Sequence, residues 1–138
     1  VSSAKIYLHG GHVTSWTVGG EEMLFLSKEA VFRPPKAIRG GIPICWPQFS
    51  DLGPLSTQHG FARNMPWMLE DLQSFPDEAS AVFSLTSDGV KQALEADVIE
   101  GWPHEFSLTL KVSISDTGLS QEFMVTNTGA EPFEFTTA

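Results

Sequence analysis

The sequence predicts an all-β protein built as an antiparallel β-sandwich. In several segments apolar and polar residues alternate with a period of two, and glycine pairs or Asx-Thr-Gly turns separate those segments. A period of two places neighbouring side chains on opposite faces, as a half-buried strand requires. Only residues 89–97, GVKQALEAD, have a helical pattern, and they are enough for one or two turns. The architecture is therefore predicted to be two groups of strands with a long loop between them.

The strands of the first group surround two glycine pairs. Residues 3–9 and 12–18 flank Gly10 and Gly11, and a third strand is predicted at 21–27, after Gly19 and Gly20. Paired glycines between alternating segments are typical of tight turns. These three segments are therefore expected to form an antiparallel meander.

The second group contains the clearest strand of the chain, residues 105–115, in which every second residue from Phe106 to Ile114 is apolar. The turn DTG follows, and then a strand that carries Leu119, Gln121, Phe123 and Val125 on one face. Another strand is predicted at 79–87. The ending EPFEFTTA alternates again, so we expect a further strand to begin there and the chain to be an N-terminal portion of a longer protein.

Residues 33–66 connect the two groups, and we call this segment the loop layer. It contains six of the nine prolines and shows no alternation. A long irregular stretch inside a compact domain is usually functional. The loop layer is therefore the first place to look for a site.

Composition limits the classes of function. A length of 138 residues fits a single domain, residues 1–138, and no apolar run approaches the ~20 residues of a membrane span. The net charge of −9 opposes binding to nucleic acid and to anionic membranes. The single cysteine, Cys45, excludes an internal disulfide, and its apolar neighbours predict an inert buried thiol.

The charge of the loop layer is opposite to that of the whole chain. Four of the eight cationic residues lie between positions 33 and 63 with one acid, Asp51, and they are Arg33, Lys36, Arg39 and Arg63. Arg39 precedes two glycines, which let backbone amides approach an anion, and His59 precedes Arg63 by four residues. Each motif is weak alone, but together they favour a small anionic ligand such as a sugar phosphate.

Two other residue types invite a functional interpretation. His9 and His12 flank a glycine pair, but residues three apart on a strand face opposite sides and no third ligand is nearby, so no metal site is predicted. The four tryptophans could stack on sugar rings, although aromatic residues of a sandwich are more often in its core.

The motifs, taken in order, resemble those of the glucose-6-phosphate 1-epimerases, which are related to aldose 1-epimerase. HVTSW, LFLS, PPKAIRGGIPICWPQF, QHGFAR, WPHEF and NTGAEPFEFTTA cover essentially the whole chain, and the two blocks of the loop layer are the most specific. One departure is Ser50, where the family often has glycine, and we expect it to alter the loop conformation slightly.

The resemblance implies a galactose-mutarotase-like supersandwich that interconverts the α and β anomers of a hexose 6-phosphate without a cofactor. Arg39 and Arg63 are similar to ligands of the anion and sugar, His59 to the histidine that hydrogen-bonds the sugar, and Lys36 is a further candidate. Ring opening needs a base and an acid. The resemblance places that carboxylate and that histidine beyond Ala138, so the chain alone is expected to be inactive.

Two alternatives stay open at this point. The first is a carbohydrate-binding module that uses tryptophans as platforms. The second is an epimerase-derived structural subunit, bound to a protein partner that covers exposed strand edges. A cytoplasmic location is expected, and an organelle such as the chloroplast stays open as an alternative.

Overall fold

The computed structural model describes residues 1–94 and 101–138, and these residues form two antiparallel sheets. The first sheet has the order β1-β2-β3, with β1 Ser2–Tyr7, β2 His12–Val18 and β3 Glu21–Glu22. The second has the order β4-β5-β6-β7, with β4 Met68–Ser74, β5 Glu78–Thr86, β6 Phe106–Ser115 and β7 Leu119–Asn127. The predicted all-β class is confirmed.

The register of the second sheet shows why the alternation in β6 was readable. Leu110 pairs with Phe83 of β5 on one side and with Phe123 of β7 on the other, so the three side chains share the inner face. The five alternate residues of β6 from Phe106 to Ile114 are all buried. This row of apolar side chains forms one wall of the core.

The core is closed by the first sheet and by the loop layer. Ala4 and Ile6 of β1 line a narrow cleft with Val112 and Ile114 of β6, where the two sheets meet. Trp46, from the loop layer, is fully buried among aromatic rings that include Phe61, Trp102 and Phe106. The irregular segment therefore supplies the central side chain of the core.

The prediction of a third strand over residues 21–27 was wrong beyond its first two residues. Strand β3 pairs with the end of β2, through Glu22 with Thr17. The chain then leaves the sheet, and Ser27 donates a backbone hydrogen bond to the carbonyl of Arg39 while Gly41 donates one to Phe25. Residues 25–27 thus pair with the glycine turn of the loop layer instead of extending β3.

Strand β4 was not predicted. All seven of its side chains are exposed, so MLEDLQS shows no apolar alternation, although its backbone pairs with β5 from Met68 to Ser74. The ladder is interrupted between Leu69 and Asp71, where the register shifts. Backbone pairing, rather than side-chain burial, defines this strand.

One α-helix, α1, lies within the described residues; it spans Ser87–Ala93 and begins two residues before the predicted segment. The Thr86 hydroxyl accepts a hydrogen bond from the Gly89 amide and caps the helix. The predicted residues 95–97 lie outside the described part of the chain. No helix in the described ranges is long and apolar enough to cross a membrane.

The loop layer is irregular as predicted, apart from a short 3₁₀ turn at Ala62–Asn64. The last residues of the chain run extended beside it. The Cys45 amide donates to the Ala138 carbonyl, the Ala138 amide donates to Cys45, and the Thr136 amide donates to Pro47. The expected strand at the end of the chain is thus a short extended pairing with the loop layer.

Candidate functional site

The turn between β1 and β2 joins the two motifs of the loop layer. His9 Nε2 donates to the Lys36 carbonyl over 2.6 Å, and His12 Nε2 donates to the Gly40 carbonyl over 2.5 Å. From the same turn, the Gly10 amide donates to the Met65 carbonyl over 2.7 Å. Residues 36–40 and 63–65, which are far apart in sequence, therefore meet at one end of the first sheet.

The turn after Arg39 packs closely against the backbone of Val13 and Leu26. Gly40 and Gly41 have positive φ angles of 102° and 62°. A Cβ at position 41 would lie 2.1 Å from the Val13 carbonyl oxygen, and one at position 40 would lie 2.7 Å from Leu26 Cα. Only glycine fits at these two positions, so the turn that follows Arg39 packs closely against β2 and Leu26.

His12 supports this turn from the interior. Its side chain is fully buried, and burial lowers its pKa despite the opposing effect of the Gly40 carbonyl. Because a carbonyl can only accept, Nε2 carries the proton of a neutral ring. The sequence had marked His12 only as an improbable metal ligand, and its contact with Gly40, 28 residues away, has no local signal.

The cationic side chains of the loop layer are available to a ligand. Arg33, Lys36 and Arg39 are exposed, and Arg63 is half-buried. Within residues 1–94 and 101–138, none of these four side chains forms an ion pair. The predicted positive charge is therefore not neutralised by the carboxylates that the structure describes.

Arg63 and His59 lie near each other. Burial is the main cause that lowers the pKa of His59, and the positive charge of Arg63 lowers it further. Arg63 Nη2 donates to the Gln58 carbonyl over 3.3 Å, which directs its guanidinium along the QHGFAR segment. The Arg63 charge also reaches His12, beneath the Arg39 turn. The backbones of Gly40, next to Arg39, and of Arg63 thus lie against His12 and Gly10, and His59 precedes Arg63 by four residues.

Gln48 holds the part of the loop layer that carries Ser50 and Leu55, and no sequence pattern indicated this role. Its side chain is fully buried, and its Nε2 donates to the carbonyls of Ser50 and Leu55, each over 3.0 Å. Its Oε1 accepts from the Leu55 amide over 2.8 Å. A side chain here replaces the backbone ladder that a strand would supply.

Ser50 is in the left-handed region, with φ of 55°. Glycine adopts this conformation without steric cost, whereas other residues rarely do. Serine at this position therefore makes the loop conformation sterically less favourable than glycine would.

Among the other candidates, Cys45, His12 and three tryptophans are buried, whereas His9 and Trp16 are half-buried. Burial raises the pKa of the Cys45 thiol, as expected for an inert cysteine. Trp46, Trp67 and Trp102 are buried and cannot serve as sugar platforms. The Nε2 atoms of His9 and His12 bind different carbonyls, and the described ranges contain no cluster of three potential metal ligands.

Comparison with known proteins gives consistent matches along the chain. The family model described as aldose 1-epimerase matches residues 1–138. A protein of Cenchrus ciliaris, provisionally named a glucose-6-phosphate 1-epimerase, is 45% identical over 98% of this chain and 41% of its own length. A protein of Escherichia coli with the same provisional name is 38% identical over 83% of this chain and 37% of its own length.

A solved structure gives the same result for the fold. The crystal structure of a provisionally named mutarotase from Salmonella typhimurium superposes with a TM-score of 0.75 at 34% identity, over 91% of this chain and 40% of that one. The chain thus spans about two fifths of the length of these relatives.

Proposed function

The chain belongs to the aldose 1-epimerase family, and from that premise we propose that it binds a hexose 6-phosphate within an enzyme that interconverts the α and β anomers of glucose 6-phosphate. The observation that carries this proposal is the cationic loop layer, in which the exposed Arg39 and the half-buried Arg63 form no ion pair with the described residues. The provisional names of the relatives support the choice of glucose 6-phosphate.

In this proposal Arg39 and Arg63 bind the anion and the sugar, and Lys36 adds positive charge at the edge of the site. Guanidinium groups suit phosphate because they present two parallel N–H donors. The glycine turn fixes the backbone of Arg39, so less conformational freedom is lost when its side chain binds.

Anomer exchange requires a base that removes the proton of the anomeric hydroxyl and an acid that protonates the ring oxygen. The proposal assigns neither role to Arg39, His59, Arg63 or Lys36. Arginine stays protonated at neutral pH and therefore acts as a charged hydrogen-bond donor. His59 is proposed to hydrogen-bond the sugar. No cofactor is part of the proposal, since opening and closing a hemiacetal ring breaks and re-forms one C–O bond with proton transfers and without a net oxidation or reduction.

The burial of three tryptophans weighs against the carbohydrate-binding module. A protein partner at the exposed strand edges stays a prediction. Strand β4 is an edge of its sheet, and Leu69, Leu72 and the nearby Phe75 are exposed there. We propose further that residues 1–138 act as one partial domain of the sandwich.

The first test removes one guanidinium in the intact protein. Arg39→Ala should weaken binding of glucose 6-phosphate by about 1.5–3 kcal/mol, the value of a hydrogen bond to a charged group. Binding of unphosphorylated glucose should change much less. Calorimetric titration with both sugars measures the difference.

Arg33→Ala is the matched control, because Arg33 is an exposed arginine of the same loop layer that lies outside the glycine turn. It should leave both affinities nearly unchanged. Equal losses for the two sugars in Arg39→Ala would contradict a role in phosphate binding.

A further inference from the structure

Ser50 and His59 form a reciprocal pair of hydrogen bonds. The Ser50 amide donates to His59 Nδ1 over 2.9 Å, and the His59 amide donates to the Ser50 carbonyl over 2.9 Å. Both residues have positive φ angles, 55° for Ser50 and 65° for His59. The imidazole is therefore tied to a specific backbone amide nine residues earlier in the chain.

This contact determines where the ring carries its proton. A backbone amide can only donate, so Nδ1 must accept with its lone pair and cannot also carry hydrogen. The proton of the neutral ring then lies on Nε2. A doubly protonated ring would place an N–H group against the Ser50 amide, and burial and the Arg63 charge already lower the pKa of His59.

The surrounding loop layer keeps the Ser50 amide in position. Gln48 Nε2 donates to the Ser50 carbonyl over 3.0 Å. On the other side, a Cβ at Gly60 would lie 2.3 Å from the Trp46 carbonyl oxygen, so the chain after His59 passes directly over Trp46. The ring of Phe49 lies 5.1 Å from the His59 ring, measured between centroids. The His59 imidazole thus contacts the Ser50 amide and lies beside the Phe49 ring.

We infer that the backbone amide at position 50 is a positioning group, which holds His59 as the Nε2–H tautomer and makes it a hydrogen-bond donor rather than a proton acceptor. A neutral imidazole of this kind recognises an oxygen lone pair, such as a hydroxyl or ring oxygen of a sugar. This inference rests on the proposed function for the identity of the ligand, whereas the tautomer itself is a property of the free protein.

The tautomer is measured by long-range ¹H–¹⁵N correlation NMR on the intact ¹⁵N-labelled protein at pH 7.5, without ligand. His59 should show an unprotonated Nδ1 and a protonated Nε2, with His59→Gln used to assign its signals. A ring protonated on Nδ1, or an equal mixture of tautomers, would overturn the inference.

Two variants at position 50 test the role of the amide. Ser50→Gly keeps the amide and favours the left-handed conformation, so it should retain the Nε2–H tautomer. Ser50→Val places a β-branched residue where φ is positive, so it should displace the amide and shift the tautomer ratio by about tenfold towards Nδ1–H. If Ser50→Val does not fold, the wild-type and Ser50→Gly spectra decide the question by themselves.

Different experimental outcomes would contradict the positioning role and the proposed function. An Nδ1–H ring in a protein that still binds glucose 6-phosphate contradicts the positioning role alone. An Nε2–H ring in a protein that does not bind this sugar contradicts the proposed substrate and leaves the positioning role intact. In the complete enzyme carrying a folded Ser50→Val, KM for glucose 6-phosphate should rise while kcat changes less, because the lost interaction is one of binding. A fall in kcat alone would contradict the donor role.

Discussion

The loop layer and strand β4 are neighbours in the chain, but they differ in both regular structure and side-chain burial. The loop layer has almost no regular structure, yet it buries Ile44, Trp46, Gln48 and Phe61. Strand β4 pairs regularly with β5, yet all seven of its side chains are exposed. Regular backbone hydrogen bonding and burial are therefore independent here.

The two regions differ in which groups form hydrogen bonds with their backbone N–H and C=O groups. In β4 the adjacent strand supplies the hydrogen bonds, so side chains are free to vary. In the loop layer buried side chains do so, as Gln48 shows with the carbonyls of Ser50 and Leu55. Single substitutions should consequently cost much more in the loop layer than in β4, and the following experiments test that contrast.

The largest effect is expected for Trp46→Ala. Trp46 is fully buried and touches aromatic rings from three parts of the chain. Its removal should lower the free energy of unfolding by about 3–5 kcal/mol, the usual cost of truncating a buried aromatic residue. Urea unfolding followed by circular dichroism measures the change.

Leu72→Ala in β4 is the control, because Leu72 is 68% exposed. It should change stability by no more than about 0.5 kcal/mol. Similar losses for both variants would show that β4 is as constrained as the loop layer.

An intermediate effect is expected for Gln48→Leu. The substitution leaves the Leu55 amide without its acceptor in a buried position. An unsatisfied buried polar group costs about 1–3 kcal/mol. The same chemical change in β4, Gln73→Leu, removes only an exposed contact with Asp71 and should be nearly neutral. The comparison fails if chemical unfolding gives equal midpoints for the two variants.

The smallest effect is a pH dependence from His12, and β4 has no histidine to match it. Burial lowers the pKa of His12 in the folded state, so the unfolded chain binds more protons below the ordinary value of about 6.5. Stability should therefore fall as pH decreases from about 6.5 towards the lowered folded pKa, with a slope of at most about 1.4 kcal/mol per pH unit.

His12→Gln keeps a donor for the Gly40 carbonyl but does not titrate. Its unfolding free energy should vary less with pH between about 7.5 and 5.5 than that of the wild type. The variation that persists includes the contribution of His59, whose pKa is also lowered. An unchanged slope would mean that His12 is protonated without cost in the folded protein.

The sequence predicted the parts of the fold in which one side-chain pattern reports burial. The alternation from Phe106 to Ile114 identified β6 because one face of that strand is buried. Strand β4 has no buried face and gave no signal. The end of the predicted third strand failed because residues 25–27 pair with the glycine turn at 39–41, and local pattern does not report such competition.

The candidate site likewise contains residues that the sequence indicated and residues that only the tertiary structure reveals. Charge contrast and family resemblance indicated Arg39, His59 and Arg63 from the sequence. The residues that hold them were not predicted, because their contacts depend on the tertiary structure. The bond from His12 to Gly40 spans 28 residues, and the bond from Ser50 to His59 requires two left-handed residues that no local pattern identifies.

The β1–β2 turn that joins the motifs also has a consequence for the order of folding. Its bonds to Lys36 and Gly40 close loops of 27 and 28 residues, whereas only three residues separate β6 from β7. Closing long loops costs chain entropy before their contacts stabilise the protein, so we expect the hairpin to form early and the site to assemble late. Interactions that form after the transition state act mainly on the rate of unfolding. Changes around the site should therefore shorten the lifetime of the native state while leaving the speed of its formation almost untouched.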